Sequence, residues 1–146
     1  MTIYFYSSHE EPYGCFSNFS EHGFEFDGLY WATVEHYFQA HKFAGNPYTK
    51  QIRTAKTPKQ AKELGRTREH PLRSDWEDVK VDLMRQAVLR KFQTHADIRT
   101  ILLDTGNEEI VENSADAYWG SGSDGSGENM LGLILMETRD ILNQDI

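Results

Sequence analysis

Apolar and polar residues alternate in a few short stretches of the chain, a pattern that is typical of half-buried strands. Two of these stretches flank an Asp27-Gly28 pair, and this pair between β-rich runs predicts a hairpin. The strands predicted in this way are residues 2–6, 24–26, 29–31 and 109–112. Residues 10–20 and the glycine- and serine-rich residues 120–127 are predicted to be loops.

Most of the remaining chain has helical periodicity with capping residues at its ends. Thr33 is a suitable N-cap, and Gly45 and Gly106 are suitable stop signals. Pro47 and Pro58 favour the first position of two short helices. The predicted helices are residues 34–43, a short helix from residue 47, and residues 58–65, 75–92, 96–104 and 129–142. The longest opens at a capping-box pattern, residues 74–77, and has an apolar stripe of Val79, Leu83, Met84, Ala87, Val88 and Phe92.

The length and composition of the chain are consistent with one domain that contains these elements. The chain has 146 residues, of which 38% are hydrophobic, so it can bury a core and is not a disordered segment. We expect a single compact, mainly helical α+β domain with a small β-sheet, spanning residues 1–146. No apolar stretch approaches the ~20 residues that span a bilayer. No signal peptide is visible, so a cytoplasmic location without a membrane partner is expected.

The charge is unevenly distributed along the chain. The net charge is −8, but residues 41–73 hold nine basic and two acidic residues, a local charge of +7. Such a segment can steer an anionic ligand to one face of the molecule. The alternative is a solvated helical surface without a ligand.

Glu35, Gln39 and Lys42 form the first candidate set of functional residues. At the angular spacing of a helix they fall within roughly 40° of one another, so one face presents a carboxylate, an amide and an amine. The functional interpretation is an acid/base Glu35 with Lys42 as nucleophile or electrostatic partner. The alternative is an ordinary surface ion pair.

A second candidate set lies in the predicted loop at residues 116–120. Trp119 could stack on a flat ring beside the Asp116 carboxylate, or it could fill the core beneath a turn. Residues 120–127 could offer backbone N–H groups to a phosphate, or they could form a flexible connection. Three further candidates can either line a pocket or pack internally: Trp76, Asn18 and Phe19.

Several other chemistries lack the residues that they require. None of the six histidines is spaced as a zinc pair on one helix face, and no Gly-x-Ser-x-Gly elbow is present. Cys15 is the only cysteine, which excludes an internal disulfide, and nothing near it supports a catalytic thiol. We therefore predict no metal site and no cofactor.

The order of these motifs along the chain resembles one family. The motifs are residues 16–19, 35–39, 42–43, 65–66, 91–92, 116–120, 131–132 and 135–136, with Trp76 and Asn129. Their order and spacing from about Tyr4 to Arg139 resemble the NADAR family, also called YbiA-like N-glycosidases. By motif match, the family's site falls on Glu35, Trp76, Asp116 and Trp119, and Lys42 is a further candidate. The substrate-binding set implied beside these is Asn18, Phe19, Gln39, Arg66, Gly120 and Asn129.

The resemblance implies an N-glycosidase that acts on a ribose joined to an amino group. One implied substrate class is the phosphoribosylamino pyrimidines that are early riboflavin intermediates. The other is ADP-ribose on the amino group of guanine in nucleic acid. Some members of the family act as antitoxins, so a cognate ADP-ribosyltransferase toxin is an expected class of partner.

Both substrate classes carry the ribose on an exocyclic amine, so the sugar can open to an imine. We predict that Lys42 attacks C1 to form a Schiff base, that Glu35 transfers protons, and that Asp116 holds ribose hydroxyls or offsets positive charge. The alternative mechanism is direct displacement by water. Two other functions stay open: a module that reads ADP-ribose without cutting it, and an antitoxin that blocks its toxin by contact. The sequence also leaves the oligomeric state open.

Overall fold

The computed structural model describes residues 1–144 as a mainly helical α+β fold, which confirms the predicted fold class. The strands are β1 (Ile3–Phe5), β2 (Phe24–Phe26), β3 (Leu29–Trp31) and β4 (Ile110–Glu112). The α-helices are α1 (Val34–His41), α2 (Tyr48–Arg53), α3 (Pro58–Leu64), α4 (Trp76–Thr94), α5 (Ala96–Asp104) and α6 (Met130–Gln144). The four strands form two two-stranded sheets rather than the one small sheet expected.

The chain divides into two compact units, each with its own sheet. The hairpin unit is Glu21–Lys91, and the parallel-sheet unit is Met1–Ser20 together with the chain from Phe92 onward. The single domain expected for residues 1–146 stays a prediction, and residues 145–146 lie outside the described part of the chain.

The hairpin of β2 and β3 turns at Asp27-Gly28, as the sequence predicts. Both residues have positive φ, +53° and +79°, as a two-residue hairpin turn requires. The pairing of β2 with β3 sets Phe24 opposite Trp31. The ring of Tyr37 on α1 packs against this hairpin, with its centroid 5.9 Å from that of Phe24 and 5.1 Å from that of Trp31. The hairpin therefore covers one side of α1.

Two short helices, α2 and α3, also pack against α1. Threonine side chains fix where α1 and α3 begin: Thr33 accepts the His36 N–H at 3.1 Å, and Thr57 accepts the Gln60 N–H at 3.0 Å. Because neighbours cover α1 on several sides, every residue from Val34 to Ala40 is buried. The polar residues of this helix are therefore buried together with the apolar ones.

The parallel-sheet unit is built on the pairing of β1 with β4, in which Ile3 lies opposite Ile110. Phe16 packs edge-on against Phe5, with ring centroids 5.8 Å apart, and lies 6.1 Å from Phe92. The helix α6 packs against β4 and α5. This packing places the hydrophobic core of the unit beneath its sheet.

Asn129 connects the start of α6 to β4. Its side-chain oxygen accepts the Glu112 N–H, and its side-chain nitrogen donates to the Ile110 carbonyl, both at 2.9 Å. The residue has φ +54°, a left-handed conformation that asparagine tolerates better than most residues. Gly132 leaves room for this arrangement, because a Cβ at that position would collide with the Asn129 amide.

The structure differs from the sequence-based expectations at several element ends. Tyr13–Phe16 is a 3₁₀ helix within the predicted loop. The helix α1 ends at His41, before the expected end at residue 43. The helix α4 begins at Trp76, one residue later than a cap at Ser74 requires. Within residues 1–144, no helix has both the length and the apolar character needed to cross a membrane.

We expect Asn129→Ala to lower the free energy of unfolding by about 2–3 kcal/mol, because it removes two hydrogen bonds and keeps a left-handed backbone. Asn129→Gly should cost about 1 kcal/mol less, since glycine accepts positive φ. Urea unfolding measures both variants. Asn143→Ala, at an exposed position of α6, is the control and should change stability by less than about 0.5 kcal/mol. Equal losses at the two asparagines would contradict the bracing role of Asn129.

Candidate active site

Glu35 is a buried carboxylic acid in the first turn of α1. Its side chain is only 7% exposed, which is rare for a glutamate without a charged partner or a function. The surface ion pair considered for Glu35 and Lys42 is therefore the wrong interpretation. The burial follows from the packing of α1 between the hairpin, α2 and α3.

Gln39 holds the Glu35 carboxyl in place from one turn further along α1. Its side-chain nitrogen donates to Glu35 Oε2 at 2.8 Å. Its side-chain oxygen is buried and has no hydrogen-bond partner within the described residues. A Cβ at Gly65 would collide with that oxygen, so Gly65 provides the space that the Gln39 amide occupies. The predicted grouping of Glu35 with Gln39 is thus found, and an acceptor atom remains unused beside it.

Three cations act on the buried carboxyl. Burial raises the pKa of Glu35 above its ordinary value. The hydrogen bond from Gln39 opposes this shift, and so do the charges of three cations: Lys62, Lys42 and Arg66. The raised pKa favours a Glu35 that carries a proton and can donate it.

Lys42 is a half-buried amine at the C-terminal end of α1. Burial lowers its pKa, and the charges of Arg66 and Lys62 add to that effect, whereas Glu35 opposes it. A lowered pKa increases the fraction of neutral amine, the form that attacks a carbon. The hairpin unit therefore brings together an acid and an amine that are both shifted towards their uncharged forms.

Trp76, a predicted substrate contact, opens α4 and is buried. It is 6% exposed, and its ring lies against Phe38 with centroids 5.0 Å apart. The Arg73 guanidinium binds the Asp75 carboxylate just before it, at 2.6 and 3.0 Å. The structure thus shows the packing role that the sequence left open, and stacking on a substrate ring stays a prediction.

The other predicted site residues belong to the parallel-sheet unit. Asp116 is exposed, and its Oδ1 accepts the N–H groups of Tyr118 and Trp119, both at 2.8 Å. This carboxylate therefore shapes the turn that presents Trp119, whose ring lies edge-on to Tyr118 with centroids 5.0 Å apart. Direct contact of Asp116 or Trp119 with a substrate stays a prediction.

The backbone N–H groups that follow residues 120–127, at the start of α6, are already bonded within the chain, and binding of a phosphate there stays a prediction. The N–H groups of Met130 and Leu131, at the start of α6, already donate to the carbonyls of Tyr118 and Trp119. The N–H of Asn129 donates to the Gly120 carbonyl at 2.9 Å. With these bonds the segment is an ordered double turn rather than the flexible connection considered from the sequence.

Gly120 and Asn129 have structural roles in this turn, and their contact with a substrate stays a prediction. A Cβ at Gly120 would collide with the Ser114 hydroxyl, so only glycine fits there without rearrangement. Both polar atoms of the Asn129 amide are bonded to the β4 backbone, as described above. Asn18 and Phe19 are half-buried after the 3₁₀ helix, where the Phe19 N–H donates to Ser17. Their contact with a substrate stays a prediction.

Sequence reasoning did not single out Lys62. The usable signal was its position, because Lys62 belongs to the basic segment of residues 41–73 and lies in the last turn of α3, shortly before Arg66. Within residues 1–144, no three His, Cys, Asp or Glu side chains are grouped so that they could hold a metal ion.

Comparisons with protein families, with individual relatives and with solved structures agree on one family. The model of the NADAR domain matches residues 4–143. N-glycosidase Npun_R5314 of Nostoc punctiforme is 54% identical over 144 residues, covering 96% of this chain and 92% of the relative. The chloroplastic riboflavin biosynthesis protein PYRR of Zea mays is 42% identical over 143 residues, covering 87% of this chain but 23% of the relative. The NMR structure of the E. coli protein YbiA superposes with a TM-score of 0.91 at 45% identity, covering 99% of this chain and 86% of that one.

We expect Glu35→Gln to stabilise the fold at neutral pH. Because the folded-state pKa of Glu35 is raised, its protonated form favours folding below about pH 4.5, and this contribution is lost as the pH rises through the folded-state pKa. Glutamine can keep the bond from Gln39 without the buried charge, so the gain at pH 7 should be about 1 kcal/mol. It should vanish below pH 4.5.

Urea unfolding across this pH range measures the difference between wild type and variant. Glu63→Gln, at an exposed position of α3, is the matched control and should change stability little at any pH. If Glu35→Gln were less stable than wild type at pH 7, burial of the charged carboxylate would not destabilise the folded state, and the interpretation would be contradicted.

Proposed function

The chain belongs to the NADAR domain family, and we propose that this hydrolase of N-glycosyl bonds cleaves the bond between C1 of a ribose and an exocyclic amine. The observation that carries the proposal is the buried acid Glu35 together with the half-buried amine Lys42, both shifted towards their uncharged forms. A glycosidic bond to an amine needs a proton for the leaving nitrogen and a nucleophile for C1, and this pair supplies both.

The proposed reaction starts from the ring-opened substrate, in which C1 is joined to the leaving nitrogen as an imine. Neutral Lys42 adds to C1, Glu35 gives its proton to the exocyclic nitrogen, and the amine leaves, so that a Schiff base forms between C1 and Lys42. Water then adds to C1 while the Glu35 carboxylate accepts a proton. Release of Lys42 yields the free sugar and restores both groups.

Direct displacement is the alternative mechanism. Water activated by Glu35 or Asp116 would attack C1 through an oxocarbenium-like state, and Lys42 would only bind the substrate. The lowered pKa of Lys42 favours the covalent route, because a purely electrostatic partner functions best when it is fully charged.

Two substrate classes are supported by different observations. A phosphoribosylamino pyrimidine is supported by the relatives from Zea mays and Nostoc punctiforme, which are named for riboflavin biosynthesis and for N-glycosidase activity. ADP-ribose on guanine is supported by the +7 charge of residues 41–73, because a pyrophosphate needs more cationic contacts than one phosphate does. An antitoxin role and a cognate toxin as partner accompany the second substrate class as predictions. A cytoplasmic location stays a prediction for either class.

Trapping with borohydride tests the covalent route. During turnover, reduction should leave a sugar adduct on Lys42 that mass spectrometry detects, and Lys42→Ala should lose both the adduct and at least about 100-fold in kcat. Lys59→Ala, at an exposed position of α3, is the control and should keep both. Absence of an adduct together with substantial turnover by Lys42→Ala would favour direct displacement.

Release of free sugar phosphate or ADP-ribose from the two substrates tests the proposed function itself. Wild type should release one of them, and Glu35→Gln should bind that substrate but lose about 10²–10⁴-fold in turnover. A module that only reads ADP-ribose would bind without release, and a contact antitoxin would neutralise its toxin equally well as wild type and as Glu35→Gln. Either result would reject the enzymatic proposal.

A further inference from the structure

His36 is a buried histidine in the first turn of α1, next to Glu35 in the sequence. Its side chain is 1% exposed, and both ring nitrogens are hydrogen-bonded within the hairpin unit. Nε2 lies 2.9 Å from the Ala55 carbonyl oxygen, and Nδ1 lies 2.8 Å from the Thr33 hydroxyl. The ring is therefore not available to a substrate, and the proposed reaction gives it no role.

The two hydrogen bonds of the ring fix which nitrogen carries the proton. A carbonyl oxygen only accepts hydrogen bonds, so Nε2 donates to Ala55, and Nδ1 of the neutral ring accepts from the Thr33 hydroxyl. The Thr33 oxygen in turn accepts the His36 backbone N–H, as the cap of α1. Burial lowers the pKa of His36, which favours the neutral ring that this arrangement needs. His36 is therefore an uncharged link between the cap of α1 and the chain that precedes α3.

The bond to Ala55 attaches the beginning of α3 to the beginning of α1. Ala55 lies in the connection between α2 and α3, two residues before Thr57, whose side chain caps α3. At the end of α3, Gly65 lies so close to the Gln39 side-chain oxygen that a Cβ there would collide with it. Between these two contacts, Ala61 of α3 is fully buried. The helix α3 is therefore held along α1 at both of its ends.

The position of α3 matters to the buried acid because α3 brings two cations to it. Lys62 lies in the last turn of α3, and Arg66 lies two residues after its end. Both charges oppose the rise in the pKa of Glu35 that burial causes, and both lower the pKa of Lys42. Lys42, on α1 itself, is the third cation that acts on Glu35. The charge state of the acid and of the amine therefore depends on how closely α3 lies against α1.

We propose that His36 is a positioning residue that attaches the start of α3 to the first turn of α1 and so keeps Lys62 and Arg66 beside the reacting groups. Because His36 is neutral, replacing it by another uncharged residue removes no charge from the site. This inference rests on the proposed function, since it takes Glu35 and Lys42 to be the reacting groups. The simpler role for His36, packing in the core of the hairpin unit, would affect stability but not the pKa of either group.

Two variants with side chains of similar volume separate these roles. His36→Gln keeps an amide N–H that can donate to the Ala55 carbonyl, whereas His36→Met fills the same space without a donor. NMR titration of the folded chain, without substrate, measures the pKa of the Glu35 carboxyl and the pKa of the Lys42 amine. Both pKa values should rise in His36→Met, because the cations of α3 lie further away, and both should stay near their wild-type values in His36→Gln.

The direction of the Glu35 shift distinguishes movement of α3 from access of water. Water at the carboxyl would weaken the effect of burial, so a lowered pKa of Glu35 in His36→Met would overturn the proposal. In the Lys62→Gln/Arg66→Gln background, His36→Met should cause no further rise, because the two cations are already absent. His9→Asn, at an exposed position, is the control and should leave both pKa values unchanged. Unchanged pKa values in His36→Met, or equal shifts in His36→Gln, would leave His36 as a packing residue only.

Kinetics separate this proposal from the proposed function. A raised pKa leaves less neutral Lys42 amine at pH 7, so His36→Met should lose at least about threefold in kcat, and His36→Gln should recover most of that loss. The pH–rate profile of His36→Met should move to higher pH, because both reacting groups titrate there. A chain whose pKa values respond to His36→Met but that cleaves neither substrate class would keep the positioning role and reject the enzyme. A chain that cleaves its substrate while His36→Met changes neither pKa would do the opposite.

Discussion

The burial of one carboxyl group, that of Glu35, is the constraint on which the chemistry of the hairpin unit depends. In water this group would have its ordinary pKa. In the folded chain the elements packed against α1 bury it, and the hydrogen bond described for it comes from Gln39. The penalty for charging a buried acid raises its pKa, and the nearby cations limit the size of that rise. An acid that keeps its proton to a higher pH than an ordinary glutamate is suited to protonate a departing amine.

Several parts of the hairpin unit contribute to the burial of the Glu35 carboxyl. Thr33 fixes the first turn of α1, so the position of Glu35 along the helix is determined by a cap. Tyr37 and the hairpin cover one side of α1, and α2 and α3 cover others. Gly65 lets the end of α3 approach the Gln39 amide closely. In the parallel-sheet unit, the side chains of Asp116 and Asn129 order a double turn through hydrogen bonds to the backbone, and their contact with a substrate stays a prediction.

Features with a local physical cause could be predicted from the sequence. The hairpin at Asp27-Gly28 follows from positive φ at both turn residues, and the starts of α1 and α3 follow from threonine caps. The face shared by Glu35, Gln39 and Lys42 follows from helix geometry alone. Features that depend on contacts between distant segments could not be predicted. The burial of Trp76, the bonds that use the Asn129 amide and the closeness of Lys62 to Glu35 all arise from packing between elements.

The pKa of Glu35 is the quantity that tests this account most directly. A titration of the Glu35 side-chain carboxyl, followed by carbon NMR in the folded chain, should give a pKa above 4.5, the ordinary value for a glutamate. The pKa should rise further in Lys62→Gln/Arg66→Gln, because that variant removes two of the cations that stabilise the charged form. A pKa at or below 4.5 in the wild type would contradict the account, since Glu35 would then be an ordinary carboxylate with no proton to donate.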